Sequence, residues 1–119
     1  LMTLSYVGAE KVVDHYNVMG PVKAALEASV RYLAHELGPR NIRVNAISAG
    51  AVATRAASGI EHFDELLHES VKRSPLRRTV EADEVGRAAL VLASDYTSGI
   101  TGEVLHVDAG FHIAGMVFH

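Results

Sequence analysis

Apolar positions in this chain fall into short runs separated by stripes of helical period. Leu1–Val7 is short and mainly apolar and is closed by Gly8, the pattern of a buried strand. Residues 9–16 are mixed and read as a loop. Val18, Val22, Leu26, Val30, Leu33 and Leu37 then recur at steps of three or four, and Ala24, Ala25, Ala28 and Ala34 favour helix, so the spacing predicts a helix over 18–37. Gly38-Pro39 is expected to stop it, with Gly38 as a left-handed cap. Ile42–Ile47 reads as a second strand and Ser48–Ala51 as a turn at its carboxyl end. Phe63, Leu66, Leu67 and Val71 mark a short amphipathic helix that Pro75 breaks. Val85, Ala88, Ala89 and Leu92 mark another. Glu81, Asp83 and Glu84 stand near its start, where negative charge suits the helix dipole. Gly99 and Gly102 bracket a turn, and Glu103–Val107 alternates as a third strand.

The order strand, helix, strand, helices, strand predicts parallel strands joined by crossovers, an α/β layer. Three strands are few for a free-standing parallel sheet, whose faces and edges need cover. Further strands are therefore expected from additional sequence or from another chain. Leu1–Tyr6 lacks an initiating Met and a basic segment, and it reads as a strand entered mid-stream rather than a signal peptide. The expectation is a single partial domain over 1–119, a piece of something longer.

Composition narrows the function classes. Of 119 residues, 49% are apolar and 21% charged, which suits a packed core and rules out a disordered chain. A net charge of −3 gives no basic excess for general nucleic-acid affinity. No apolar run reaches the ~18 residues of a membrane span. With no cysteine, thiolate nucleophiles, disulfides and cysteine-based zinc sites are excluded. Seven histidines raise the question of a metal, but none forms a His-x3-His pair or another recognised ligand spacing, so no metal site is expected.

Tyr16 and Lys23 are the first candidates for chemistry. Seven residues on a helix turn through about 700°, which puts both side chains on one face about 10.5 Å apart along the axis. A lysine leaning back over that gap would lower the phenol's pKa, and such a phenol can hydrogen-bond a developing oxyanion. From spacing alone the plainer reading stands ahead: an aromatic at a helix entry, and Lys23 paired with Glu27 at i,i+4. Pro21 adds that the helix starts near Val18 or Gly20, leaving Tyr16 in the preceding loop.

The runs Ser5-Tyr6-Val7-Gly8-Ala9-Glu10, Tyr16-Asn17-Val18-Met19-Gly20 and Lys23-Ala24 closely resemble the enoyl-[acyl-carrier-protein] reductases of type II fatty acid synthesis, a divergent branch of the short-chain dehydrogenase/reductases. The ordinary superfamily motif is Tyr-x3-Lys. Six residues between the tyrosine and the lysine, with a second tyrosine ten positions upstream, mark the enoyl reductase branch. Arg43–Gly50, Ala56–Ile60, Pro75–Thr79 and Gly99–Gly110 continue the resemblance, which covers nearly the whole chain.

The resemblance implies the carboxyl-terminal half of a doubly wound, parallel-sheet Rossmann fold, with about three strands and flanking helices. It implies hydride transfer from NADH to the β-carbon of a trans-2-enoyl thioester carried on acyl carrier protein. Tyr16 would hydrogen-bond the enolate oxygen, Lys23 would hold the nicotinamide ribose, and Tyr6 would line the substrate site in support. Ala49, Gly50 and Val52 would meet the nicotinamide through backbone groups, and Thr54 would reach a phosphate. Met19, Ala56, Ala57, Ile60, Phe63 and Leu66 would form the acyl wall, with 56–66 as a lid. A homotetramer with the long helix at its contacts is implied, in the cytoplasm or, for a plant or alga, the plastid stroma.

Some positions depart from the family pattern. Ala51 replaces a common proline, Arg55 an apolar residue, and Glu61, Asp64 and Glu65 put acid where basic residues often face the acidic carrier protein. Lys72, Arg73, Arg77 and Arg78 offer a second basic patch, or simply a solvated face. The glycine-rich phosphate turn of this fold is absent, so the 119-residue chain alone is expected to be inactive. The competing readings are a dehydrogenase of ketones or alcohols, which the lysine spacing opposes, and a non-catalytic piece that associates with other subunits.

Overall fold

Three short apolar strands give the chain its frame. The computed structural model describes residues 1–52 and 62–118. Strand β1 (Met2–Ser5) leads through a 3-10 turn at Val7–Ala9 and a loop to helix α1 (Met19–Leu37). Strand β2 (Asn45–Ala49) follows, then helices α2 (Phe63–Arg73) and α3 (Ala82–Ala93), and strand β3 (Val104–Val107). The strands form one parallel sheet in the order β1-β2-β3, with Leu4 opposite Ile47 and Ile47 opposite Leu105. The α/β reading of the sequence holds.

The central strand is the buried one. Asn45 through Ser48 are all buried, and Val30 and Ala34 of α1 pack on Val44 and Ala46, with Leu37 and Val104 against the cluster. Strand β1 departs from the buried strand expected of it. It lies at the edge of the sheet, and Leu1, Met2 and Leu4 are exposed.

Two boundaries shift for identifiable reasons. Helix α1 runs on into a 3-10 turn at Gly38–Arg40 with Gly38 in the right-handed region (φ −54°), and the left-handed residue is Asn41 (φ 59°). Asn tolerates that conformation well, so the expected glycine cap is displaced by three residues. Strand β2 begins at Asn45 rather than Ile42. The Val44 N–H donates to Thr101 Oγ1, and the Arg43 guanidinium donates to the carbonyls of Ile100, Leu92 and Ser94. The Val44 N–H is therefore committed to the loop before β3 rather than to the ladder, and Arg43 ties β2 to the end of α3 and to that loop. Asn45 extends the same fastening: its amide donates to Ile100 O and its oxygen accepts from the Glu103 N–H, both at 3.0 Å.

Helix α3 opens with a capping box between Glu81 and Glu84, and Arg78 grips the Glu84 carboxylate at 2.7 and 3.0 Å. That fork holds the Glu84 carboxyl down to about 2, the hydrogen bond from Arg78 being the main cause. Among the described residues no helix is long and apolar enough to cross a membrane, and no three His, Cys, Asp or Glu groups gather as a metal site.

Candidate active site

Chemistry in an open parallel sheet collects beyond the carboxyl ends of the strands. Here Tyr6 follows β1, Ala49-Gly50 closes β2, and Asp108 follows β3. Gly50 passes close to Asp108: a Cβ there would stand 3.0 Å from Asp108 Cα and 3.1 Å from its Cβ.

Tyr16 stands in the turn before α1. Its N–H donates to Val13 O and its carbonyl accepts from Met19 N–H, each at 3.1 Å. It is flanked by two left-handed residues, His15 (φ 67°) and Asn17 (φ 53°). Pro21 sits in the first turn of α1, where no intrahelical N–H is needed. The loop placement that Pro21 signals is the one found.

The turn brings the two tyrosines together. The rings of Tyr6 and Tyr16 meet edge to face, with centroids 5.1 Å apart and planes at 60°. The Tyr16 ring lies directly on Gly8, whose added Cβ would fall 2.4 Å from Tyr16 Cδ2 and 2.6 Å from Cε2. Lys23, one turn into α1, donates from Nζ to Leu4 O at 3.1 Å. Glu27 accepts from Ser5 Oγ at 2.5 Å, so the expected Lys23–Glu27 pair is replaced by two parallel ties to the end of β1.

The phenols do not follow the expected direction. Burial raises the pKa of Tyr6, with repulsion from a Tyr16 phenolate second, and burial raises that of Tyr16. The ammonium is engaged with a carbonyl of β1. Both phenols are therefore shifted further from ionising, not toward it.

A cavity of about 190 Å³ opens beside the pair, walled by Tyr6, Val13, Tyr16, Leu66 and the stacked His15–His62 rings, whose centroids are 4.3 Å apart. A neighbouring one of about 350 Å³ shares Tyr6 and reaches Arg73 and Phe111. Leu66 is thus at the cleft. Phe63 is buried and Met19 is exposed, and neither lines these two cavities. Ala49 and Gly50 border a narrow crevice with Tyr6, Ala51 and Asp108, and Val52 is half-buried just beyond. Thr54, Ala56, Ala57 and Ile60, and most of the expected lid, lie outside the described residues.

The basic run is largely spent on local contacts. Arg73 donates to Gly115 O and lies over the Phe111 ring, Arg77 donates to Lys72 O and Ser74 O, and Arg78 holds Glu84. One polar group escaped the sequence reading. His106 and His112 stack at 3.7 Å, and the buried Asp108 carboxylate accepts from the backbone N–H groups of Gly110 and His112 and meets His112 Nδ1 at 2.9 Å. The spacing Asp108-x3-His112 was its only signal.

A family model described as "Enoyl-(Acyl carrier protein) reductase" matches residues 1–112. The chain belongs to this enoyl reductase family. It is 62% identical over 116 residues to the enoyl-[acyl-carrier-protein] reductase [NADH] 1 of Rhizobium meliloti, covering 98% of this chain and 43% of the relative. Against the NADH enoyl reductase of Escherichia coli the identity is 55%, with 98% and 44% covered. The chain thus spans less than half the length of these curated relatives. Among solved structures, the Anaplasma phagocytophilum enoyl reductase in complex with NAD superposes with a TM-score of 0.89 at 57% identity, covering 97% of this chain and 42% of that one. The Bacillus cereus reductase with NADP+ and indole naphthyridinone gives 0.93 at 55% identity, covering 97% and 45%. The sheet and its helices match the carboxyl-terminal part of the reductases' Rossmann-like fold.

Proposed function

We propose that the chain supplies the catalytic half of an NADH-dependent reductase of trans-2-enoyl thioesters borne on acyl carrier protein. The observation that supports this reading is the edge-to-face contact of Tyr6 and Tyr16 beside a cleft, with Lys23 tied to Leu4 O near the end of the strand that Tyr6 follows. The donor set suits a dinucleotide. An ammonium has three N–H bonds, and only one of those on Lys23 is directed at Leu4 O, so two are left for ribose hydroxyls. Ala49, Gly50 and Val52 offer backbone groups to the nicotinamide end, and Thr54 a hydroxyl to a phosphate. A bound reduced nicotinamide supplies a hydride to the β-carbon of the substrate.

The chain's own groups handle the charge that results. As the β-carbon gains hydride, the thioester oxygen becomes an enolate oxygen. Tyr16, a neutral phenol whose pKa burial raises further, donates a hydrogen bond to it, and Tyr6 packs against the Tyr16 ring to hold that aim. One well-placed donor of this kind is worth about 2.7–4 kcal/mol, or about 10²–10³ in kcat. The acyl chain would lie along Leu66 at the cleft, with Ala56, Ala57 and Ile60 as further wall. The whole enzyme would be a cytoplasmic homotetramer with α1 at its contacts.

The test joins this chain downstream of the amino-terminal half of the Rhizobium meliloti relative. The fused enzyme is expected to oxidise NADH with crotonyl thioester, Tyr16→Phe to lose about 10²–10³-fold in kcat, and the unfused chain to turn nothing over. An unimpaired Tyr16→Phe enzyme, or preference for a ketone over the thioester, would refute the reading.

A further inference from the structure

Helix α1 touches the end of β1 with two side chains one turn apart. Lys23 takes the carbonyl of Leu4, and Glu27 takes the hydroxyl of Ser5. The second tie is the unusual one. Ser5 and Glu27 are 5% and 7% exposed, and the Ser5 hydroxyl donates to Glu27 Oε2. A carboxyl group in such a place is costly unless its partner is held in place. Val30 and Ala34, further along α1, bury their apolar side chains and make the core without any such group.

What the tie adds is orientation. Ser5 is the last residue of β1, paired with Ser48 of β2, and the next residue is Tyr6. The backbone then turns through Val7–Ala9, and Tyr6 meets Tyr16, which stands in the turn leading into α1 with its carbonyl accepting from the Met19 N–H. Strand end and helix therefore form a closed circuit: Ser5 to Glu27 through the hydrogen bond, and Tyr6 to Tyr16 through the ring contact. Fixing the first sets the second.

We propose that Glu27, through Ser5, is a positioning residue that sets the Tyr6–Tyr16 geometry for the enolate step, an assignment that rests on the reductase reading above. It touches neither substrate nor dinucleotide and acts through β1. A glutamine keeps an acceptor for the Ser5 hydroxyl. Leucine removes it. The double change S5A with E27L leaves no buried polar group behind and is the variant that keeps the fold if E27L alone does not.

The experiment has two arms. On the 119-residue chain, nuclear Overhauser cross-peaks between the Tyr6 and Tyr16 rings are expected in the wild type and in E27Q, and to be lost in E27L and in the double variant. In the fused enzyme the same two losses are expected to lower kcat about 10–10²-fold with KM for NADH unchanged, and E27Q to recover most of it. Cross-peaks that persist in the double variant, or cross-peaks lost with kcat unmoved, would overturn the assignment. An inactive wild-type fusion would instead strike the reductase reading, while the ring cross-peaks would still decide whether Glu27 sets the tyrosine pair.

Discussion

Gly8→Ala isolates the contact on which the tyrosine pair rests. Gly8 sits in the 3-10 turn Val7–Ala9 with ordinary negative φ, so alanine meets no backbone penalty. The whole effect is steric. The added methyl would stand 2.4 Å from Tyr16 Cδ2 and 2.6 Å from Cε2, whereas ordinary contact begins near 3.4 Å. These are atoms in the body of a ring, not the tip of a flexible chain, so the ring must yield by about an ångström or the turn must open. Overpacking of this kind costs about 1–3 kcal/mol, roughly 4–12 °C in Tm for a chain of this size. The consequence for chemistry is larger, because a misplacement of about 1 Å in a catalytic group can cost about 10²-fold in rate. Thermal melts followed by circular dichroism, with the Tyr6–Tyr16 ring cross-peaks recorded on the same sample, read both effects. An alanine variant with the wild-type Tm and unmoved rings would refute the packing argument.

Further perturbations bear on other parts of the molecule. Gly110→Ala places a side chain at φ 86° and within 2.8 Å of Pro75 Cγ, so it is expected to lose about 1–3 kcal/mol of stability in denaturant titration. Asn45→Ala strands the Glu103 N–H and leaves the Ile100 carbonyl to Arg43 alone; at about 1–3 kcal/mol for the stranded group it is expected to lower Tm while leaving the tyrosine ring cross-peaks in place. The Glu84 carboxyl is depressed from 4.5 to about 2 in the folded chain, so its contribution is full above 4.5 and lost as pH falls through that window. Melts across that range are expected to show a smaller acid loss in Glu84→Gln than in the wild type. Burial raises the Tyr16 phenol above its ordinary 10.0, and the neutral form is the donor, so kcat of the fused enzyme is expected to stay level through neutral pH and fall only above that value.

The layer order, the three strands and α1 were legible because hydrophobic period alone decides them. Val30, Ala34 and Leu37 lie on the stripe that packs on β2. Boundaries were less legible where a distant partner decides. Arg43 and Val44 look like strand residues, yet Ile100, Leu92, Ser94 and Thr101 claim their polar groups from more than forty positions away. Tyr16 and Lys23 were singled out by resemblance, their spacing alone favouring the plainer reading. The direction of the phenol's shift was not legible, because it depends on where the ammonium points, and it points at Leu4 O. The Ser5–Glu27 tie was hidden for the same reason. Glu27 reads as the natural i,i+4 partner of Lys23 until β1 is packed against the helix.

Arg43 and Asn45 lie at the end of β2 opposite Gly50, and they bind the loop that leads into β3. The sheet thus has a fastening pole and a working pole, divided by the few residues of a short strand. Amino-acid drift at the first would be felt as changes in how much folded protein a cell retains, and, on the reductase reading proposed above, drift at the second as changes in what each folded molecule converts. Two variants of equal harm to an organism could then be told apart by whether a chaperone or a higher substrate supply relieves them.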